Sequence, residues 1–169
     1  MQKIAPFLWY EKDAEAAMEF YVSIFNNSPV KKEESKIISI GRFPDVAVDE
    51  HMVGLEGKVA SGEFELAGQR LMAFDGGPMF KFNEAISLYV ECESQAEVDY
   101  FWKSLSAVPD AEACGWLKDK FGVSWQIIPT ALNTLLGDPD PERAARAMKA
   151  MMLMKKIDIA ELTRAAEGE

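Results

Sequence analysis

One local pattern occurs twice in this chain, and the repeat constrains the fold more than any other feature. Ala14, Ala17, Met18, Tyr21, Ile24 and Phe25 recur at helical spacing and set a single apolar stripe, with Asp13 before it as N-cap. Val98, Phe101, Trp102 and Leu105 form a second stripe, preceded by Ser94, with Glu97 completing a capping box. Caps and stripes coincide at one offset of 81: Asp13 with Ser94, Ala17 with Val98, Phe20 and Tyr21 with Phe101 and Trp102, Ile24 with Leu105. A β-rich segment of strand length precedes each helix, residues 4–10 and 85–92. A hairpin closes each unit. Val59 to Leu66 turns through Ala67-Gly68 into Gln69 to Phe74, and Cys114 to Lys118 turns through Asp119-Lys120-Phe121-Gly122 into Val123 to Ile128.

The copies are unequal. The first holds an extra strand-like stretch, Ser35 to Phe43, and a loop rich in Pro44, Asp45, Asp49, Glu50 and Gly54; the second has only Ser106 to Ala113 there, so its matching strand is expected to be short or missing. Gly76-Gly77-Pro78 reads as the linker. Residues 1–78 therefore form the first module, 79–129 the second and shorter one, and 130–169 a helical extension. In that extension Pro141 follows Asp140 at a helix start, and Ala144, Ala145, Met148, Met151 and Met152 make the predicted buried stripe. Methionine at such spacing reads as interface packing, more than as a copper or cofactor site. Asp158 and Glu161 cap a last helix ending near Gly168.

With 49% apolar and 27% charged residues in 169, the chain can bury a core. Its formal charge of −10 is the wrong sign for nucleic acid or an anionic membrane surface. Two cysteines, Cys92 and Cys114, are too few for a disulfide framework. No apolar run reaches membrane-spanning length, and Met1 to Pro6 shows no apolar stretch behind a basic start. A cytoplasmic protein is the expectation.

Four strings carry a family resemblance: Phe64-Glu65-Leu66-Ala67-Gly68-Gln69, Met72-Ala73-Phe74-Asp75-Gly76-Gly77-Pro78, Phe80-Lys81-Phe82-Asn83-Glu84-Ala85-Ile86-Ser87, and Cys114-Gly115-Trp116-Leu117-Lys118-Asp119-Lys120-Phe121-Gly122-Val123-Ser124-Trp125-Gln126. Together they resemble the PhnB-like branch of the glyoxalase/bleomycin resistance/dioxygenase (vicinal oxygen chelate) superfamily. The resemblance implies an α+β fold of paired βαβββ modules whose sheets curl around a pocket, usually in a homodimer. The branch also carries the label 3-demethylubiquinone-9 3-methyltransferase, although no dinucleotide-type Gly-rich turn follows a strand here to hold S-adenosylmethionine.

Metal-using relatives place a ligand on the first and last strand of each module. Counting from the helix stripes puts the first-strand slots on Pro6 and Ser87, and counting from Gly68 and Gly122 puts the others on Met72 and Gln126. None of the four carries imidazole or carboxylate, so no metal and no cofactor are expected at that position. A site built instead from His51, Glu63 and Glu91 is a remoter alternative. Strand alternation then places Arg70 and Phe74 beside Met72, with Glu65 opposite Arg70 and Glu63 opposite Met72, and leaves Phe64, Leu66, Leu71 and Ala73 for the helix-facing core. In the second module Ser87, Tyr89 and Glu91 share the side of Gln126, while Trp116 and Trp125 are expected to pair on the opposite, core face. Phe82 and Asn83 are placed near the pocket mouth.

The candidate ligand-binding set is therefore Met72, Phe74, Ser87, Tyr89, Gln126, Glu63 and Glu91. Catalytic residues are not assigned. The leading expectation is a protein that binds a small molecule against apolar walls with few polar anchors. Its rival is a metal-free or metal-recruiting enzyme using a buried glutamate among Glu63, Glu65 and Glu91 as general base.

Overall fold

The computed structural model describes residues 3–30 and 33–169. The chain divides into two compact units, Met1–Phe82 and Asn83–Glu169. In the first, β1 (Phe7–Tyr10) leads into α1 (Ala14–Asn26), followed by β2 (Lys36–Arg42), β3 (Val59–Leu66) and β4 (Gln69–Asp75). The sheet order is β1-β4-β3-β2, with β1 parallel to β4 and the remaining pairs antiparallel. This is the complete βαβββ module.

The helix-facing side of that sheet is the one the alternation predicts. Phe64, Leu66, Leu71 and Ala73 are buried, together with Leu8, Tyr10 and the α1 stripe Ala14, Ala17, Met18, Tyr21 and Ile24. Gly62 lets the helix approach this closely, since a Cβ there would stand 2.7 Å from the Met18 methyl carbon and 3.1 Å from the carbonyl of Ala73. Asp13 does not cap α1 with its side chain. The Asp75 carboxylate, 1% exposed at the end of β4, takes that role: its Oδ1 accepts the Ala14 N–H at 2.8 Å and its Oδ2 the Val59 N–H at 3.0 Å. A cap donated by a distant strand satisfies the helix amide as well as a local one does.

The second unit repeats the plan with β5 (Leu88–Cys92), α2 (Gln95–Leu105), β6 (Trp116–Lys118) and β7 (Ser124–Pro129), in the sheet order β5-β7-β6. Where the first unit has β2, a 3-10 turn runs Pro109–Ala111, and among the described residues the strand expected to be short or missing there is not formed. Ser94 caps α2 by accepting the Glu97 N–H, while the Glu97 carboxylate reaches back to the Glu93 N–H at 2.7 Å.

Three helices complete this unit: α3 (Thr130–Leu136), α4 (Pro141–Met151) and α5 (Ile159–Glu167). They share a core of Leu132, Leu135, Ala147, Met154, Ile157, Leu162 and Ala166 with Ile128 of β7. Cys114 and Gly115 donate their N–H groups to the carbonyls of Met154 and Lys155 at 2.8 and 2.7 Å. The Gln95 amide on α2 binds both the Ile157 carbonyl and the Ile159 N–H. The predicted stripe of α4 is rotated: Ala147 is buried, whereas Met148 and Met152 are 52% and 64% exposed. Small alanines let α4 and α5 close up, and this displaces the methionines outward. Among the described residues no helix is long and apolar enough to cross a membrane.

Candidate functional site

Each sheet has one face against its helix and one turned away, and the candidate residues stand on the faces turned away. In the first unit Phe7 pairs in register with Met72, and Trp9 with Phe74. Glu63 lies opposite Met72 and Glu65 opposite Arg70, as the two-residue turn requires. That turn holds positive φ at both central residues, 45° at Ala67 and 82° at Gly68. Phe74 centres an aromatic cluster, with Phe7 at 5.1 Å and Trp9 at 4.6 Å edge-on, and Phe80 packs on Trp9 at 4.8 Å. The indole N–H of Trp9 donates to the Gly77 carbonyl at 2.9 Å and fixes the ring. Beside this wall Arg70 Nε binds Glu63 Oε1 at 2.5 Å, and its Nη2 approaches Met72 Sδ at 3.8 Å.

In the second unit Tyr89 pairs in register with Gln126, and Trp116 stands across from Gln126 on its other side. Gln126 Nε2 donates to Ser87 Oγ at 2.8 Å. Asn133, on α3, donates from Nδ2 to the Tyr89 hydroxyl at 2.9 Å. Lys118, two residues along β6 from Trp116, is bound by Glu84, whose carboxyl it holds below the usual range by hydrogen bonding. Glu91 is exposed.

Two readings from the sequence need correction. Pro6 and Ser87 are not equivalent positions. The connection from β1 to α1 has three residues and that from β5 to α2 has two, so the strand offset is 82 where the helix offset is 81. Phe7 and Tyr89 are the true counterparts, each beside the last-strand residue already identified, Met72 and Gln126. Trp116 does not pair with Trp125 either. Leu117 does, and Trp116 joins the Gln126 face. Asp119 is the cause. Its buried carboxylate accepts the N–H groups of Phe121 and Val123 and the indole of Trp125, drawing Val123 into the turn and moving the register by one.

The residues that sequence reading missed are thus Phe7, Trp9, Phe80, Trp116 and Asn133. A count that allowed Val123 in the turn would have found Trp116; nothing local marks Asn133. Phe82 packs edge-on against Tyr10 at 5.1 Å. His51 sits on an exposed 3-10 turn, its ring 3.9 Å from Glu50. Among the described residues no group of three His, Cys, Asp or Glu side chains is placed to hold a metal ion. The new slot residues Phe7 and Tyr89 bring neither imidazole nor carboxylate. Of the three glutamates offered as a general base, Glu63 is bound by Arg70, Glu65 is half-buried opposite Arg70, and Glu91 is exposed. A cleft of about 300 Å³ opens instead beside the start of α1, lined by Lys12, Asp13, Glu15, Ala16, Glu19, Lys58, Val59 and Asp75. Its buried carboxylate, Asp75, is already engaged by backbone N–H groups, so the chemistry favours the sheet faces over this cleft.

The sequence profile of the 3-demethylubiquinone-9 3-methyltransferase family matches residues 2–128. The chain belongs to this family. A PhnB protein of Bacillus cereus that carries the same family name is 38% identical, with a TM-score of 0.59, over 76% of this chain and 100% of that one. A Pseudomonas aeruginosa protein of 19% identity gives a TM-score of 0.55 over 76% of this chain and 98% of that one, which speaks to fold alone. No curated protein matches. The fold is that of PhnB-like proteins of the glyoxalase type, and family membership supports a small-molecule-binding domain. The family match stops at residue 128, before α3 begins at Thr130.

Proposed function

We propose that this PhnB-like protein binds a small organic molecule on a sheet face turned away from its helix, as a cytosolic homodimer and without a protein-held metal. On that face of the first unit, Met72 and Phe74 form an apolar wall with Phe7 and Trp9. On that face of the second unit, taken by itself, Ser87, Tyr89 and Gln126 offer polar groups and Trp116 a ring. Glu63 lies opposite Met72 and fixes Arg70, and Glu91 is exposed two residues beyond Tyr89.

One observation carries this reading: the half-buried amide of Gln126 is spent on Ser87 at the centre of a face that also presents Tyr89 and Trp116. Few oriented polar groups on an apolar and aromatic surface are the usual makings of a ligand site. Native mass spectrometry of the purified protein is the direct test, with Gln126→Ala expected to keep its fold and lose a co-purified ligand or bind it about tenfold more weakly. Unchanged retention by that variant removes Gln126 from the site. Heat of binding on titration with S-adenosylmethionine would move the reading to the methyl transfer that the family name carries.

A further inference from the structure

Ser87 and Tyr89 share a chemical state. Each hydroxyl oxygen accepts a hydrogen bond from a side-chain amide, Ser87 from Gln126 at 2.8 Å and Tyr89 from Asn133 at 2.9 Å. A hydroxyl whose oxygen is engaged in this way keeps its own proton to give. Both residues meet Gln126, Ser87 through its hydroxyl and Tyr89 as the register partner on β5, so the two hydroxyls belong to one face.

Their surroundings narrow what would take those protons. Trp116 offers a ring across from Gln126. Lys118 on the same face is neutralised by Glu84, and Glu91 adds a carboxylate two residues beyond Tyr89. An anionic acceptor would meet repulsion without a countercharge, whereas a neutral acceptor meets two oriented donors and an aromatic surface. We propose that the second unit takes a neutral aromatic carbonyl compound, its carbonyl oxygen accepting from the Tyr89 hydroxyl and its ring lying along Trp116, and that Asn133 is a positioning residue for that hydroxyl. This rests on the reading of the face as a binding site. Asn133 lies beyond residues 2–128, so the proposal makes the helical extension part of the site in this chain.

The test uses the full chain and 6-propionyl-2-(dimethylamino)naphthalene, a neutral ketone whose emission moves to longer wavelength when its carbonyl accepts a hydrogen bond. The reference is 2-(dimethylamino)naphthalene, which lacks the carbonyl. The ketone is expected to bind about tenfold more tightly than the reference. Tyr89→Phe and Asn133→Asp should each lose that preference and shift the bound emission to shorter wavelength, leaving the reference unchanged and the circular dichroism native. Aspartate accepts the Tyr89 proton and withdraws it from the ligand.

If Asn133→Asp behaves as the wild type, the positioning role fails. If Tyr89→Phe keeps the preference, or if 2-naphthoate outcompetes the ketone, the neutral-carbonyl assignment fails. In both cases the site itself stands so long as Trp116→Ala weakens both probes. If Trp116→Ala changes neither, or neither probe binds, the underlying site reading falls and takes this inference with it.

Discussion

At Ala67 the backbone holds φ at 45° in a turn that also needs positive φ at Gly68. An alanine pays a steric penalty in that region which asparagine largely escapes. Ala67→Asn should therefore stabilise the first unit by roughly 0.5–1 kcal/mol, seen as a higher urea midpoint at unchanged slope. An unmoved or lowered midpoint would mean the turn relaxes in solution. Cys92 makes the opposite kind of case, a chemically competent group silenced by its place. Fully buried beneath α2, its thiol is pushed up to about 12, by burial first and then by Glu97 and Glu91. It should stay protonated and unmodified by iodoacetamide at pH 8, with the half-buried Cys114 labelled first, as peptide mass spectrometry would report. Equal labelling of both thiols would show that this part of the second unit opens. The register of strand residues was legible wherever a turn was short, as at Glu63 opposite Met72, and illegible where a side chain reorganised the turn, as Asp119 does.

The helical extension is the element that sets this chain apart from the matched region of its family. Its own core is small, and it is tied to the rest of its unit by Gln95, the backbone bonds at Cys114 and Gly115, and the ion pair of Lys156 with Asp99. Hydrogen bonding to Lys156, then to Gln95, holds the Asp99 carboxyl below its ordinary value of 3.8. A depressed carboxylate contributes stability in full above its unfolded value, and loses it as pH falls through the folded one. Acidification below about pH 4 should thus weaken the attachment of α5 first. Asp99→Asn should show a lower melting temperature than wild type at pH 7 and a shallower fall in acid, by circular dichroism. Parallel acid curves for the two proteins would leave the ion pair without a role. Helix ends in this extension were readable from Asp140-Pro141 and Asp158. Which face of α4 turns inward was not, because alanine and methionine stripes are nearly equal in apolar pattern and only the neighbour decides between them.

At the scale of the whole molecule, Phe7, Phe80 and Met79 expose 54%, 60% and 71% of their surface in one region of the first unit. Apolar side chains grouped in this way favour association of copies. Light scattering coupled to size exclusion should give twice the chain mass, and Phe7→Glu together with Phe80→Glu should reduce it to one. A wild-type protein that elutes at the mass of one chain would discard the homodimer. By itself the sequence determined the repeated plan, the short or missing strand of the second module, the helix-facing core of the first and the helical tail, since each follows from periodicity and from turn chemistry acting over a few residues. Tertiary structure alone decided that Asp75 caps α1, that Phe7 and Tyr89 are the counterparts across the modules, and that Asn133 joins the candidate site. Those outcomes depend on loop lengths one residue apart and on groups brought together across dozens of residues, and local propensity carries no information about either.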